Sequence, residues 1–183
     1  MAGLTKKAIK QSVLKLLNEK PVSKITVKDI VEDCGINRNS FYYHYADLPT
    51  LIEEIINEEA DRIIREHAEI TSLEECLEVA VSFALRNKTA VLHIHNSQNR
   101  EIYETYLWKV CDHAVRTYIE QAFANTPLSQ GDREILIRYH KCEGFGQIID
   151  WLNHGMRTDI MADFRRICEL RRGTAAELLD KLR

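Results

Sequence analysis

Between Thr26 and Tyr45 the chain reads TVKDIVEDCGINRNSFYYHY, two helical patterns of about two turns each with a single glycine between them. Val27, Ile30, Val31 and Cys34 recur at i, i+3, i+4 and i+7, so the first segment carries one apolar face that must be covered. Thr26 is placed to cap it, with Asp29 as the returning arm of a capping box. Gly35 stands where a helix ends in a left-handed residue, a conformation that costs glycine little and a β-branched residue much more. Asn37 is a good cap for the second segment. Ile36 before it can pack on Phe41 as a hydrophobic staple, which sets the angle at which that helix leaves the turn. The pair therefore reads as a helix-turn-helix, whose second member enters the DNA major groove with its N-terminal residues against base edges.

The side chains at that end are Arg38, Asn39 and Ser40. Arginine pairs with guanine O6 and N7, asparagine with adenine N6 and N7, and serine with several partners. Tyr42, Tyr43 and His44, one turn further on, suit phosphate contacts, which position a protein without reading sequence. Thr26, Lys28 and Asn37 complete the expected DNA-binding set. Amphipathic helix pairs with a glycine turn also occur in all-helical proteins that bind no DNA. Two features argue against that reading. A Tyr-Tyr-His-Tyr cluster is costly as core, and charge is unevenly shared. Residues 1–50 hold eight Lys or Arg against five Asp or Glu, whereas the remainder holds 17 against 23, within a chain of net charge −3. Lys6, Lys7, Lys10, Lys24 and Lys28 supply most of the N-terminal surplus.

Residues 5–56 resemble the DNA-binding domain of the tetracycline-repressor (TetR) family of bacterial transcription regulators. The resemblance is carried by an amphipathic first helix, by T-V-x-D-I-V-x-x-C-G-I-N-R-x-S-F-Y-Y-H-Y, and by a following helix with Leu51, Ile52, Ile55 and Ile56. Its most characteristic part is the F-Y-x-H-Y exit from the recognition helix. Family members commonly place a lysine near the start of the next helix to hold a phosphate, but this chain has Asp47, Leu48 and Pro49 there. Phosphate anchoring then falls to Thr26, Tyr42, His44 and nearby lysines.

Further along, EGFGQIIDWLNHGM followed by an amphipathic helix resembles the C-terminal regulatory domain of one TetR subgroup, which includes regulators of dihydroxyacetone kinase operons. That resemblance implies an effector pocket in the domain core and a four-helix bundle across a two-fold axis, built from residues 130–154 and 159–172. Tyr139, Phe145, Gly146, Ile149, Leu152, Ile160, Phe164 and Ile167 are the expected dimer contacts. A homodimer also follows from the reading head alone, because one short helix contacts few bases, whereas two heads about 34 Å apart meet successive major grooves of a palindromic operator.

Seven glycines and three prolines in 183 residues leave few places to break a helix, and no window alternates as a strand does. The expected fold is all-α: an N-terminal three-helix helix-turn-helix DNA-binding domain over 1–47, then a helical regulatory and dimerisation domain over 48–183. The first helix, about 5–18, places Ile9, Val13, Leu16 and Leu17 on one stripe, with Pro21 in the connection after it. Later helices are expected at about 48–68, 72–87 with Ser72 and Glu75 as a capping box, 89–95, 99–124, 130–154 capped by Ser129, and 159–172 capped by Thr158; a short final one restarts at Thr174. Gly144 and Gly146 sit inside the helix over 130–154, each at a cost of about 1 kcal/mol against alanine. The usual compensation is a closely approaching neighbour, so their face is expected to be tightly packed.

No run of about 18 apolar residues is present and the N-terminus lacks a secretory pattern, so no membrane partner and a cytoplasmic location are expected. Cys34, Cys76, Cys111, Cys142 and Cys168 are odd in number and sit in apolar stripes, and read as small buried hydrophobes in a reducing compartment.

His93, Tyr103, Tyr106, Trp108 and Trp151 supply the aromatic and polar groups found in ligand pockets, although aromatic stripes at helical spacing are more often core. His93 with His95 and Cys111 with His113 lie two apart, some 200° around a helix, and cannot chelate one ion together. No nucleophile elbow, phosphate loop or HExxH is present. No catalytic residue, metal or cofactor is therefore expected, which leaves a metal-dependent enzyme as a remote alternative. The main expectation is a dimeric repressor of a palindromic double-stranded DNA operator, released or modulated by a small-molecule effector. The nearer alternative is a TetR-like co-activator that answers to a partner protein.

Overall fold

The computed structural model describes residues 2–171, and these form nine α-helices with no strand among them. The expected final helix from Thr174 lies outside the described residues. The chain divides into two compact units, one comprising the chain up to Arg62 with Phe83–Tyr106, the other comprising Ile63–Ser82 with the chain from Leu107 onward.

In the first unit α1 (Ala2–Glu19) buries Ile9, Val13, Leu16 and Leu17, the stripe its periodicity requires. Pro21 opens a single 3-10 turn, Val22–Lys24, and α2 (Val27–Cys34) and α3 (Arg38–His44) follow. The first part of α4 (Leu48–Glu66) adds Leu51, Ile52, Ile55 and Ile56, all buried. Within this unit α1 packs on α2 and on α6 (Lys88–His95). His93 of α6 donates from Nδ1 to the Leu17 carbonyl at 2.7 Å, supplying a partner to one of the last carbonyls of α1, which no residue of that helix can satisfy. Phe83, Tyr103 and Tyr106 form an aromatic cluster with ring centroids 5.3–6.5 Å apart.

The second unit contains parts of α4, α5 (Leu73–Arg86) and α7 (Arg100–Ala122), together with α8 (Gln130–Asn153) and α9 (Ile160–Leu170). The segment between α4 and α5 is held by side chains of α7. His113 donates from Nε2 to the His67 carbonyl at 3.1 Å, and the Gln121 amide oxygen accepts from the Ile70 N–H at 3.3 Å. Arg133 caps the far end of α7 by donating to the carbonyls of Ile119 and Phe123.

Two caps differ from expectation. Ser72 accepts from the Glu75 N–H as a cap should, but the Glu75 carboxylate turns to Thr71, accepting from its N–H and hydroxyl at 2.7 and 3.0 Å. The cap of α9 is Asp159, not Thr158. Its carboxylate accepts from the N–H groups of Met161 and Ala162, while the Thr158 carbonyl accepts the Trp151 indole N–H at 2.9 Å. Among the described residues no helix is long and apolar enough to cross a membrane.

Candidate nucleic-acid interface

The turn between α2 and α3 is built by three local devices. Thr26 Oγ1 accepts from the Asp29 N–H at 3.2 Å, and the Asp29 carboxylate accepts from the Thr26 N–H at 2.8 Å, closing the capping box. The Thr26 backbone and hydroxyl, helped by Lys20, hold the Asp29 carboxyl down at about 2. Gly35 takes φ +67, in the left-handed region, and ends α2. Asn37 Oδ1 then accepts from both the N–H and the hydroxyl of Ser40, at 2.8 and 3.1 Å, and starts α3.

Helical geometry divides α3 into two faces. Phe41 is fully buried, and Tyr45, just past the helix end, is 2% exposed. Arg38, Asn39, Tyr42 and Tyr43 face outward, the last of them 82% exposed. They form two i, i+4 pairs, Arg38 with Tyr42 and Asn39 with Tyr43. The Arg38 guanidinium sits 6.0 Å from the Tyr42 ring centroid, a cation–π placement that orients the two side chains together on the outward face. Ser40 and His44 are half-buried at the margins. Thr26 and Asn37 have hydroxyl and amide oxygen engaged in capping, and Lys28 stands out in solvent, 3.7 Å from Glu32.

The N-terminal lysines are less available than their number suggests. Lys6 and Lys10 both reach Glu54, Lys10 also reaches Glu58, Lys15 pairs with Asp33, and Lys20 pairs with Asp29. Lys7 and Lys24 are exposed and make no ion pair among the described residues. Asp47, where the family resemblance leads one to expect a nearby lysine, caps α4 by accepting from the N–H and hydroxyl of Thr50 at 2.8 and 2.7 Å. Tyr45 and Glu54 escaped sequence reasoning. The one available signal was Tyr45 itself, a hydroxyl four residues beyond Phe41 on the buried face.

Residues 13–55 match the family profile described as "Bacterial regulatory proteins, tetR family". Residues 71–172, more than half of the chain, match the profile described as "Transcriptional regulator C-terminal region", of the TetR type. The chain belongs to the TetR family.

Several solved structures share the fold. A protein described as "Dihydroxyacetone kinase operon activator DhaS" is 17% identical with a TM-score of 0.71, covering 91% of this chain and 93% of its own. GusR of Salmonella enterica is 16% identical with a TM-score of 0.61, over 89% and 92% of the two chains. NalD of Pseudomonas aeruginosa, described as the secondary repressor of the MexAB-OprM multidrug efflux pump, is 22% identical with a TM-score of 0.60, over 92% and 95%. A search of curated protein sequences finds no match.

In this TetR-family chain three of the five effector-pocket candidates, His93, Tyr103 and Tyr106, belong to the first unit, and Trp108 and Trp151 belong to the second. Tyr103 and Tyr106 lie in the aromatic cluster with Phe83. His93 is the strut to Leu17. Trp151 is buried and bonded to the Thr158 carbonyl, while Trp108 is 40% exposed, edge-on to Phe145 at 5.1 Å and under the Lys141 ammonium at 4.2 Å. The second unit instead contains a narrow cavity of ≈ 20 Å³ among Cys76, Leu77, Cys111, His140, Glu143, Gly144, Ile148 and Phe164, with none of the five in its lining. That is space for a water or so. Burial pulls the His140 imidazole below its usual range despite Glu143 at 3.3 Å. An open polar groove of ≈ 390 Å³ on α7 and α8 has Asp112, Arg116, Glu134 and Lys141 in its wall, already paired with one another.

The dimer candidates separate by exposure. Leu152, Ile160 and Phe164 are buried within the chain's own core. Phe145, Ile149 and Ile167 are half-buried, Gly146 is exposed and Tyr139 is 52% exposed. Ile135, Tyr139, Cys142, Gly146 and Ile149 follow one another along α8 at alternating spacings of four and three, the seam pattern of a helix that meets another helix. Among the described residues a Cβ added at Gly144 or at Gly146 would meet no atom within 4 Å beyond its own stretch of helix, so the closely packed neighbour expected for the glycines is not found among them. Cys142 lies on this exposed line, unlike the buried Cys76 and Cys111.

Proposed function

We propose that the chain is a homodimeric transcriptional repressor that binds a palindromic operator, using Arg38 and Asn39 to read bases and Tyr42, Tyr43, His44, Lys24 and Lys28 to hold phosphates. The observation that carries this reading is the outward set Arg38, Asn39, Tyr42 and Tyr43 on a helix anchored from behind by Phe41 and Tyr45. Nothing in the core requires four such side chains to face solvent. The seam of α8 supports the dimer, with exposed Ile135, Tyr139, Cys142 and Gly146 and half-buried Ile149 as its contact line. The site of action is the cytoplasm.

Selection of duplexes from a random pool by the full chain tests the proposal. Recovery of an inverted repeat is expected, as is loss of preference at one base position per half-site in Arg38→Ala, about 1 to 3 kcal/mol of discrimination. Selected DNA without two-fold symmetry overturns the dimeric reading.

A second reading has its own support. The narrow cavity of ≈ 20 Å³ lacks room for a drug-sized effector, whose pockets run to about 300 Å³ or more, and the ≈ 390 Å³ groove on α7 and α8 is open and polar where such pockets are concave and mostly apolar. That favours control by a protein partner docking on the regulatory unit, as in a co-activator; one protein of similar fold is itself described as an operon activator. Co-purification of a stoichiometric protein partner, with no thermal shift across a metabolite panel, distinguishes this from an effector-released repressor.

A further inference from the structure

Tyr45 leaves the recognition helix with its ring in the core of the first unit and its hydroxyl donating to Glu54 Oε1 at 3.0 Å. The same carboxylate accepts from the ammonium groups of Lys6, at 3.1 Å, and Lys10, at 2.5 Å. Lys10 continues to Glu58 at 2.6 Å, and the Lys6 ammonium lies 5.3 Å from the Tyr45 ring centroid. One carboxylate of α4 thus ties the exit of the reading helix to two cations of α1. Lys6, Lys10, Glu54 and Glu58 together carry no net charge.

We propose that Glu54 is a positioning residue for DNA specificity: through Tyr45 it fixes the C-terminal end of the recognition helix, and it keeps Lys6 from the DNA backbone. The proposal rests on α3 being the reading helix. A phenyl ring at position 45 would fill the same core space, so the hydroxyl adds direction, not volume. A hydroxyl taken out of water is costly unless bonded, and a carboxylate is a strong acceptor for it. Burial alone would raise the Glu54 carboxyl, but the bonds from Lys10, Lys6 and Tyr45 prevail and hold it at about 2, so it stays charged. Without that charge Lys10 still has Glu58, whereas Lys6 has no other ion-pair partner among the described residues and lies against Tyr45, at the end of the helix that carries Tyr42 and His44, the proposed phosphate contacts. A lysine released there adds attraction to any duplex, and such attraction carries no sequence information.

The test uses the purified full chain, a duplex selected by the wild type and a random-sequence duplex, titrated over a salt series by fluorescence anisotropy. In Glu54→Gln the preference for the selected duplex is expected to fall about tenfold, the scale of one charge-assisted bond. The log–log salt slope on random DNA is expected to steepen by about one phosphate contact. Adding Lys6→Gln returns the slope to the wild-type value and leaves the preference low. Tyr45→Phe keeps the ion pairs and the core volume, so it loses preference severalfold with its slope unchanged. Equal weakening on both duplexes with no change of slope in Glu54→Gln would mean a merely structural role and overturn the proposal. Should Glu54→Gln fail to fold, Tyr45→Phe decides alone, and an unchanged preference overturns it. Arg38→Ala is measured beside them: if it leaves the preference intact, the assignment of α3 fails instead.

Discussion

Gly144 and Gly146 offer a test in which one substitution changes sign with the oligomeric state. Each glycine costs its helix about 1 kcal/mol relative to alanine, and a Cβ at either position meets no atom of the described residues within 4 Å beyond its own stretch of helix. In the isolated subunit both Gly144→Ala and Gly146→Ala should therefore stabilise by about 1 kcal/mol, a rise of about 2 to 4 °C in Tm for a chain of this size. The dimer separates them. Gly144 lies off the exposed line of α8 and borders the small cavity of the second unit, so its new methyl enters open space without touching a partner. Gly146 lies on the exposed line between Cys142 and Ile149. If α8 meets its two-fold mate there, one new methyl per subunit enters a packed seam, and overpacking costs about 1 to 3 kcal/mol. The helix-propensity gain is present in monomer and dimer alike and cancels from the association equilibrium. The dimer Kd of Gly146→Ala should therefore weaken by about fivefold to a hundredfold, while that of Gly144→Ala stays at the wild-type value. Sedimentation over a dilution series measures the Kd, and melts at matched concentrations give the Tm. A Gly146→Ala chain that dimerises as tightly as the wild type would refute the close-approach argument and move the interface off this face of α8.

Three further outcomes are expected. Gly35→Val should destabilise by about 2 kcal/mol or more through backbone strain alone, because φ +67 suits no β-branched residue and the space around Gly35 is open; Gly35→Asn should lose much less, and equal losses in urea melts would contradict the left-handed turn. Glu54 and Asp29 have folded pKa values near 2, below their ordinary 4.5 and 3.8, so the unfolded chain binds more protons between those values. Stability is then fully present above about pH 4.5 and lost as pH falls toward 2, and acid melts of Glu54→Gln should show a shallower loss. Among the cysteines, Cys142 should react fast with a maleimide at low protein concentration and slowly as the chain associates; Cys76 and Cys111, buried and with thiols pushed up to about 12 by that burial, should stay unlabelled in the native state, as peptide mapping would show.

The helix-turn-helix was legible because its determinants are local. Thr26 with Asp29, Gly35, and Asn37 with Ser40 act over three residues, and the apolar stripe of α1 needs only its own periodicity. Where two adjacent residues can each serve as a cap, as Thr158 and Asp159 can, periodicity does not choose between them; the choice came from which backbone N–H groups the Asp159 carboxylate reaches. Leu152, Ile160 and Phe164 likewise read as apolar faces, yet a pattern states that a face is covered without stating by what.

What the sequence determined by itself is the all-α fold, the reading helix and the family. Each of these rests on contacts within a turn or two, whose energetics depend on residue type and spacing alone. Tertiary structure decided which charges remain available and which apolar faces remain open. Lys6 and Glu54 are 48 residues apart, so no window of sequence shows that lysines counted toward DNA are held by a carboxylate of α4. The same holds for Gly146, which has no close neighbour among the described residues outside its own helix and gains one, on the proposed reading, from a second copy.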